Sequence, residues 1–385
     1  MASTMASAGS ATTAFTVSPV AGVPEAARRK RVLLISNRLM HYRVSVYNYF
    51  WRRFREHGWD FVVLTNELQQ QNENQRQFEL IERPFQFSSY RAEIQRINPD
   101  AIILFLLLKD LILWPLIHWL KLSGIPVALW TKTRNLDDPD NRFRNVFFDY
   151  LHVISDGLIL YTASLTRFIS KRNRRKVFIA NNTINFEDFP PVPESKDEIK
   201  RDLGIPFQKV VLFAGRIGEE RNRKKVDHLI DIFREFDRSD VGLVIVGSGL
   251  GDELRARINP VNTRYFGEVH DPKNRQISRI FKMADVCSIP GHVGLGLNQA
   301  FFWGLPMVTE QGNQPPEIEY LRDGENGFIV PEDDRRALRD RLLLLLDNDQ
   351  ERRRMSENAR RDILTHASIE GMFDGFLSCV LYVSR

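Results

Sequence analysis

Short runs of apolar residues alternate with longer amphipathic segments along most of the chain. RVLLISN (31–37), DFVVLTN (60–66) and KVVLFAGRI (209–217) have the continuous apolar character of buried strands. RVSVYNYFWRRFREHG (43–58) instead spaces its apolar residues as a helix does, and it ends at a glycine. This alternation predicts parallel sheets with helices on both faces.

The alternation occurs in two series, separated by the proline-rich and acidic segment NFEDFPPVPESKDE (185–198). We therefore predict an α/β protein of two doubly wound Rossmann-like domains that face each other across a cleft. In such sheets ligands bind at the carboxyl ends of the strands. The predicted divisions are a disordered tail (1–29), an N-terminal domain (30–187), a linker (188–205), a C-terminal domain (206–365) and a C-terminal helix (366–385).

The charge of the chain is unevenly distributed. The net charge is +5 over 385 residues: residues 1–205 carry 28 basic and 21 acidic residues (+7), and the remainder carries 26 and 28 (−2). The segment TRFISKRNRRKV (166–177) has six basic residues and no acidic one. This favours an anionic lipid or a lipid-diphosphate acceptor as a partner, or else a solvated basic surface. No groove-reading motif supports nucleic acid, so we expect none.

One segment, AIILFLLLKDLILWPLIHWL (101–120), is apolar enough to be considered as a membrane span. Lys109 and Asp110 interrupt it near its middle, so a buried strand followed by an apolar helix is the better interpretation. The helix could still touch a membrane in the interfacial plane. Two cysteines do not make a disulfide framework, and residues 1–24 lack a basic signal-peptide region. We expect a cytoplasmic protein, with peripheral contact at the inner face of the membrane as an option.

Glycines and cations follow the predicted strands of the second half, at Gly215, Arg216, Lys224, Lys225 and Gly247. Arginine and lysine together supply the fixed donors and the positive charge that a diphosphate requires. GHVGLGLNQ (291–299) predicts a glycine-rich turn that enters a helix. Free amides at a helix start bind phosphate, although each of these glycines alone is also compatible with an ordinary turn.

The order of these motifs resembles that of family 4 glycosyltransferases, the retaining, nucleotide-sugar-dependent enzymes of GT-B fold. FAGRI and KKVDHLI resemble the family's F-x-G-R and K-G-x-x-x-L-I, and VGSG resembles V-G-x-G. WGLPMVT, PPEIEYLRDGENGFIV and PEDD follow in the family's order, and FIANNTIN resembles the V-P-N segment before the interdomain linker. The resemblance covers about residues 30–365, and it is stronger in the second domain.

By position, the resemblance implies roles for several residues of the second domain. Arg216 and Lys224 would hold the donor diphosphate and neutralise the leaving group. Lys225 stands where the family has glycine, so either lysine could serve. Amides near Gly294 and Leu295 would cradle the distal phosphate. The implied donor-binding set is Gly215, Lys225, Gly247, His292, Gly294, Leu295, Gln299 and Glu317.

The chain departs from the family at the Glu-x7-Glu pair, where it has Gly291 and Gln299. Gln299 can still accept hydrogen bonds from a ribose through its amide oxygen. His292 could replace the lost contact with the donor sugar, or it could be a solvent-facing loop residue. The resemblance implies that the donor phosphate itself takes the acceptor proton. The loss of both carboxylates therefore does not by itself exclude catalysis.

Acceptor-side candidates follow the strands of the first half. SNRLMHYRVSVYNYF resembles an H/P-Y-R-V-P-x-F pattern of polysaccharide-assembly members, and it places Asn37, His41 and Arg43 at the cleft, with His41 also a catalytic candidate. LWTKTRN stands where related sequences read W-G-H-G, and Lys132 occupies the histidine position. Lys132 or Arg134 could bind a phosphate, or both could be surface charges on a loop.

We expect an enzyme that transfers a hexosyl group from a nucleotide diphosphate sugar to a glycan or lipid-linked acceptor with retention. No metal or other cofactor is expected, because no ligand cluster stands out in the sequence. Two alternatives remain open. One is a non-catalytic GT-B scaffold, which the missing carboxylates would allow. The other is a GT-B nucleotide-sugar epimerase, which would change the sugar without any acceptor.

Overall fold

The computed structural model describes residues 28–67, 76–105, 107–218, 223–269, 271 and 273–385. The predicted disordered tail, except Arg28 and Arg29, lies outside the described residues. The strands of the first sheet are β1 (Lys30–Ser36), β2 (Trp59–Thr65), β3 (Glu79–Glu82), β4 (Ala101–Phe105), β5 (Val127–Thr131), β6 (Gly157–Leu160) and β7 (Val177–Ile179). Those of the second are β8 (Lys209–Ala214), β9 (Val241–Val246), β10 (Thr263–Tyr265), β11 (Val286–Ser288), β12 (Met307–Glu310) and β13 (Gly327–Val330).

Helices connect the strands and cover both faces of each sheet. In the first part of the chain they are α1 (His41–Glu56), α2 (Phe87–Ile97), α3 (Leu113–Leu122), α4 (Arg142–Ile154) and α5 (Lys196–Asp202). In the second part they are α6 (Val226–Arg234), α7 (Asp252–Ala256), α8 (Arg275–Met283), α9 (Leu295–Phe302), α10 (Arg335–Asp347), α11 (Asp349–His366) and α12 (Ile369–Val383).

Both sheets are parallel and doubly wound, which confirms the predicted α/β architecture. The strand order is β3-β2-β1-β4-β5-β6-β7 in the first sheet and β10-β9-β8-β11-β12-β13 in the second. The direction of strand addition therefore reverses between β1 and β4 and again between β8 and β11. Such a reversal opens a crevice at the carboxyl ends of the two strands, so each domain has one preferred ligand position.

The central strands are continuous apolar runs because helices bury them on both faces. In β1, residues 32–35 have no exposed surface, and the same holds for residues 210–213 in β8. Cys287 and Cys379 are buried, unpaired thiols, as the sequence indicated. The segment 101–120 forms β4 and α3, a strand followed by a helix. Among the described residues, no helix combines the length and the hydropathy needed to cross a bilayer.

Two segments connect the domains. The segment predicted as a linker, 188–205, contains α5, and Ile199 of that helix belongs to the core of the second domain. Helix α12 returns to the first domain, where the ring centroid of Phe376 lies 4.8 Å from that of Phe50 in α1. The chain therefore crosses between the domains twice, and the last helix completes the core of the first.

Candidate functional site

The second domain brings its candidate donor residues together where β8 and β11 diverge. Gly215 and Arg216 follow β8, and the loop 289–294 follows β11 and leads into α9. Lys224, at the start of the helical segment after β8, lies between these two loops. This is the position at which a doubly wound sheet is expected to bind its ligand.

Lys224 is held against the loop that precedes α9. Its Nζ donates to the carbonyl oxygens of His292 (2.9 Å) and Val293 (3.2 Å). Its aliphatic chain crosses Gly215, where an added Cβ would lie 2.8 Å from Lys224 Cε. Desolvation lowers the pKa of Lys224 to about 8, and the more distant Cys287 and Glu317 oppose this shift. The ammonium group is thus fixed at the entrance of α9 and is sensitive to pH near neutrality.

The amino-terminal end of α9 presents free backbone amides at the same place. Gly294 has φ +54° and ψ −151°, a conformation that residues with a Cβ essentially never adopt, so glycine is required at this turn. The amides of Leu295 and Gly296 belong to the first helical turn and have no intrahelical acceptor. Together with the helix dipole they form a site that favours an anion.

Arg216 is exposed and makes no hydrogen bond or ion pair with any described residue. Gln299, on the second turn of α9, is half-buried, and its side chain also lacks a described hydrogen-bond partner. Both side chains are therefore available to a ligand. Their placement agrees with the roles that the resemblance implies, which remain predictions.

The structure gives a reason for the missing first glutamate. The amide of Gly291 donates to the carbonyl of Lys224 (3.0 Å), and that of His292 donates to the carbonyl of Arg223 (2.7 Å). An added Cβ at Gly291 would lie 2.1 Å from the Arg223 carbonyl oxygen. No side chain fits there without moving this backbone pairing, so a glutamate at position 291 is incompatible with the loop as it is packed.

His292 is half-buried in the cleft, and its imidazole is neutral at pH 7. Desolvation is the main cause that lowers its pKa to about 4, and the charges of Lys224, Arg223 and Lys132 act in the same direction. Lys132 belongs to the first domain, so His292 and Lys132 face each other across the cleft. A neutral imidazole can donate one hydrogen bond and accept another.

Lys225 does not join Lys224, which argues against the predicted donor-binding role for Lys225. Its Nζ contacts Glu310 Oε2 (3.1 Å), Glu332 Oε1 (3.0 Å) and Asp333 Oδ1 (2.7 Å), and hydrogen bonds to these carboxylates keep its pKa well above the usual range despite desolvation. Its backbone is left-handed, with φ +51°. This left-handed conformation explains why the related motif has a glycine at this position. In Lys225 the strain of the conformation is offset by the three ion pairs.

One potential metal-binding group lies beside Lys225. His228, Glu310 and Asp333 offer ligand atoms that all lie within 4.8 Å of one another. His228 Nδ1 is 2.6 Å from Glu310 Oε1, and the Lys225 ammonium already compensates both carboxylates. The sequence did not indicate this cluster, because its members come from three separate elements. The expectation that the protein needs no metal stays a prediction.

Glu317 and Arg43 are buried in the domain interface rather than exposed in the open cleft, and the roles predicted for them stay predictions. Glu317 is 4% exposed, and its Oε1 accepts a short hydrogen bond from the Nδ2 of Asn182. Arg43, also 4% exposed, donates from Nη2 to Asn182 Oδ1 (2.8 Å) and stacks on Trp130 at 4.7 Å. Asn182 therefore bridges an acceptor-side cation and a donor-side carboxylate within the domain interface.

The backbone of Asn182 extends this buried network. Its carbonyl oxygen accepts hydrogen bonds from Asn298 Nδ2 (3.1 Å) and from the Tyr320 hydroxyl (3.2 Å), and its amide donates to the Tyr161 carbonyl (2.9 Å). Asn298 precedes Gln299 in α9, so the network fixes the donor helix relative to the first domain. Sequence reasoning assigned no role to Asn182 or Asn298. The only signal was the position of Asn182 in the FIANNTIN motif.

Most polar candidates on the first-domain edge are engaged internally. Asn37 Nδ2 donates to both carboxylate oxygens of Asp110 (3.1 and 3.2 Å). Arg134 donates to Asp149 Oδ1 (2.9 Å) and to the Asn145 carbonyl (3.2 Å), which argues against a phosphate-binding role. Lys132, in contrast, is exposed, and its Nζ lies 5.4 Å from the ring centroid of Tyr161.

Two further candidates have clear positions. His41 is the first residue of α1, is half-buried, and meets the ring of Tyr42 edge-on at 5.6 Å between centroids. At Gly247 an added Cβ would lie 1.9 Å from the Gly215 carbonyl oxygen. Gly247 therefore allows the ends of β8 and β9 to approach closely. This packing role explains the glycine without any contact with a donor.

The cleft is also bridged at its rim. Asp137 Oδ1, on the loop after β5, accepts hydrogen bonds from Arg223 Nη2 (2.9 Å) and Asn313 Nδ2 (2.5 Å) of the second domain. The amide of Ser164 in the first domain donates to Glu319 Oε2 (3.1 Å). These contacts hold the loops that carry Lys132 and Lys224 in register across the cleft.

This geometry agrees with what comparison with known proteins finds. The family described as "Glycosyl transferases group 1" matches residues 195–362. The second domain is a group 1 glycosyltransferase domain. The match includes every donor-side candidate named above and ends before α12.

Curated relatives of the chain include enzymes that act on inositol compounds. A phosphatidyl-myo-inositol mannosyltransferase from Mycobacterium leprae is 36% identical over 182 residues, which cover 45% of each chain. Spore coat protein SA from Bacillus subtilis is 25% identical over 232 residues, 55% of this chain and 60% of its own. The matched segments thus span only about half the length of these relatives.

Solved structures similar to the whole chain show that it has the GT-B fold. The Anabaena protein HepE, crystallised with UDP and glucose, has a TM-score of 0.70 at 14% identity, over 91% of this chain and 98% of its own. Sucrose-phosphate synthase from Thermosynechococcus elongatus has a TM-score of 0.67 at 17% identity, over 93% and 100%. At such identities the likeness concerns the fold alone.

Proposed function

We propose that the chain transfers a hexosyl group from a nucleotide diphosphate sugar to a glycan or lipid-linked acceptor, with retention of anomeric configuration. The observation that carries this proposal is the grouping of Arg216, the Lys224 ammonium and the free amides of α9 where β8 and β11 diverge. The UDP and glucose in the HepE crystals make UDP-sugars the first donors to test.

In this proposal the second domain binds the donor and stabilises the leaving nucleotide. The amides at the start of α9 donate hydrogen bonds to the distal phosphate, and Lys224 and Arg216 compensate the charge that grows on the diphosphate as the glycosidic bond breaks. Gln299 accepts hydrogen bonds from the ribose through its amide oxygen. No step needs a metal or another cofactor, because these cations take over the role of charge compensation.

The acceptor approaches from the first domain, between Lys132 and His292. Neutral His292 can hydrogen-bond a donor-sugar hydroxyl without adding charge, in place of the carboxylate that Gly291 excludes. The nucleotide diphosphate leaves from the same face of the sugar that the acceptor attacks, so the anomeric configuration is retained, and the departing phosphate takes the acceptor proton. Lys132 favours an acceptor that carries negative charge, such as a lipid-linked diphosphate. Peripheral contact with an anionic membrane forms part of this proposal.

The test is a thermal-shift and hydrolysis panel of UDP-, GDP-, ADP- and dTDP-sugars on the purified chain. A ligand that binds only the folded protein raises its melting temperature. We expect one nucleotide to give a clear shift and to be released slowly from its sugar. No shift with any nucleotide at millimolar concentration would contradict the donor site, and a changed sugar without nucleotide release would instead indicate an epimerase.

A non-catalytic scaffold is the second candidate function. It is favoured by one observation, the close packing of Gly291 that removes the first family carboxylate. A scaffold could bind a nucleotide sugar without releasing the nucleotide. The panel separates the two candidates, since a melting shift without any nucleotide release in the presence of lipid-linked acceptors would favour the scaffold.

A further inference from the structure

Helix α4 presents its apolar side to solvent. Five of its large apolar residues are exposed and spaced so that they share one face of the helix. Their exposed fractions are 76% for Phe143, 66% for Val146, 38% for Phe147, 41% for Tyr150 and 42% for Val153. Only Leu151 and His152 of this helix are buried. A helix on the surface of a soluble domain normally has the opposite orientation.

The inner side of α4 carries a buried polar group beside the core residue Leu151. His152 is 1% exposed, and neither ring nitrogen has a hydrogen-bond partner among the described residues. Desolvation, helped by the charge of Arg134, lowers its pKa to about 4, so the ring is neutral. Arg134 is tied to Asn145 and Asp149 of the same helix. The fold thus buries a histidine while it leaves aromatic rings in water, an arrangement that indicates a covered outer face.

The apolar surface continues onto α3, which lies beside α4. The ring centroid of Trp114 in α3 is 5.6 Å from that of Phe147 and 6.5 Å from that of Tyr150. Leu111, just before α3, is 79% exposed, and Leu122, at its end, is 89% exposed. We call this surface, formed by α4 residues 143–153 and by residues 111–122, the α3–α4 face.

A basic cluster borders this face at the end of α4. Lys176 Nζ donates to the carbonyl oxygens of Val153 (3.1 Å) and Ser155 (2.5 Å), which ties the basic segment 171–176 to the helix. Lys121, Arg175 and Lys176 line one cavity there. The two acidic groups nearby are already paired, Asp156 with Lys121 and Asp149 with Arg134. The border of the face at this end of α4 is therefore positive.

We propose that the α3–α4 face docks on the surface of an anionic bilayer. The exposed rings enter the interfacial region, and the segment 171–176 meets the lipid headgroups. Charge complementarity favours an anionic bilayer over a second copy of the chain, because a second copy would place an equally basic border against the α3–α4 face. Transferring exposed aromatic surface out of water supplies the non-electrostatic part of the attachment.

The position of the face connects it to the cleft. Helices α3 and α4 follow β4 and β5, so both begin at the carboxyl edge of the first sheet, and the loop that carries Lys132 leads into α4. Docking through this face would hold the acceptor side of the cleft near the bilayer surface. This last step, a lipid-linked acceptor presented at the cleft, rests on the proposed function. The docking assigns a surface to the peripheral membrane contact of that proposal, and it needs no donor site.

The test is sedimentation of the full chain with vesicles of phosphatidylcholine alone or mixed with phosphatidylglycerol. We expect binding to the mixed vesicles that weakens with salt, because surface charges are screened. The double variant Phe143→Ser, Val146→Ser should lower the vesicle partition coefficient at least about tenfold. Arg172→Glu with Arg175→Glu should abolish the preference for anionic lipid. Val261→Ser, at a site 73% exposed in the second domain, is the matched control and should bind unchanged.

Melting temperatures and sedimentation velocity complete the experiment. All variants change exposed side chains, so melting temperatures and nucleotide-induced shifts should stay those of the parent chain. No binding of the parent chain to mixed vesicles would overturn the proposal, as would equal binding of the Phe143, Val146 variant. A parent dimer that this variant dissociates would assign the face to a second copy. Vesicle binding without any nucleotide-induced shift would contradict the proposed donor site and leave the docking in place.

Discussion

The two edges of the cleft differ in how far their polar groups are already used by the fold. On the second-domain edge, Arg216 has no partner among the described residues, and the first amides of α9 lack acceptors within the helix. On the first-domain edge, Asn37 is bound to Asp110 and Arg134 to Asp149. The second-domain edge therefore has free donors for an anion, whereas most polar groups of the first-domain edge already have partners within the protein.

In the proposed function, this difference follows from the ligand that each edge would recognise. A diphosphate has a fixed shape and charge, so hydrogen-bond donors that the fold already holds in place can bind it with little reorganisation. A side chain that already has a buried or charged partner must give it up before it binds an acceptor, and this lowers affinity. The engaged groups of the first domain are therefore better explained as a framework that holds the exposed Lys132 in place.

Matched arginine variants give the largest expected contrast between the edges. Arg216→Ala removes a charge that acts only on the ligand, so donor turnover should fall by about 10²-fold with an unchanged melting temperature. Arg134→Ala removes an internal ion pair and should cost about 1 kcal/mol of stability, with turnover nearly unchanged. Nucleotide release and thermal melting of both variants measure the contrast. Equal turnover losses would show that both edges bind the ligand.

The fold could be predicted from the sequence wherever a strand is central. The predicted runs include RVLLISN and KVVLFAGRI, which become β1 and β8 at the middle of their sheets. Strands β3, β7 and β13, which no long apolar run in the sequence predicts, all lie at sheet edges. An edge strand of three or four residues is covered less completely, so it needs no long apolar run and leaves little signal.

The candidate site was predictable where backbone chemistry defines it and less so where tertiary contacts do. Glycines at turns before a helix indicated the anion site at Gly294, because few other residues fit such a conformation. Nothing local distinguishes Lys224 from Lys225, and only the fold directs the first to the α9 loop and the second to three carboxylates. The bridge through Asn182 likewise joins residues far apart in sequence.

The adjacent lysines give a second, smaller contrast within the donor edge. Lys225→Ala should destabilise the protein by about 1–3 kcal/mol, because the fully buried Glu310 loses a partner. Lys225→Gly loses the same ion pairs but relieves the left-handed backbone, so it should be more stable than Lys225→Ala by up to about 1 kcal/mol. Urea denaturation measures both. Both variants should keep the nucleotide-induced rise in melting temperature. Loss of this rise would indicate that Lys225 binds the donor after all.

The smallest expected effect is a pH dependence that comes from Lys224. Its pKa, lowered to about 8 mainly by desolvation, means that the ammonium group of the ligand-free protein loses its proton as the pH rises through 8. Nucleotide affinity should then weaken, by at most about tenfold per pH unit. The stability of the ligand-free protein should move the other way. Between pH 8 and the ordinary lysine pKa the unfolded chain binds more protons, so the contribution of Lys224 to stability rises with pH.

These opposite signs separate a binding role of Lys224 from a purely structural one. The affinity for the nucleotide that gives the thermal shift is measured by calorimetric titration between pH 7 and about 9.5. Lys224→Gln is the control variant. It removes the titrating group but keeps a hydrogen-bond donor near the His292 and Val293 carbonyls. We expect the variant to bind more weakly at pH 7 and to lose most of the pH dependence. A parental pH profile in Lys224→Gln would assign the titration to another group and leave Arg216 as the main cation of the donor edge.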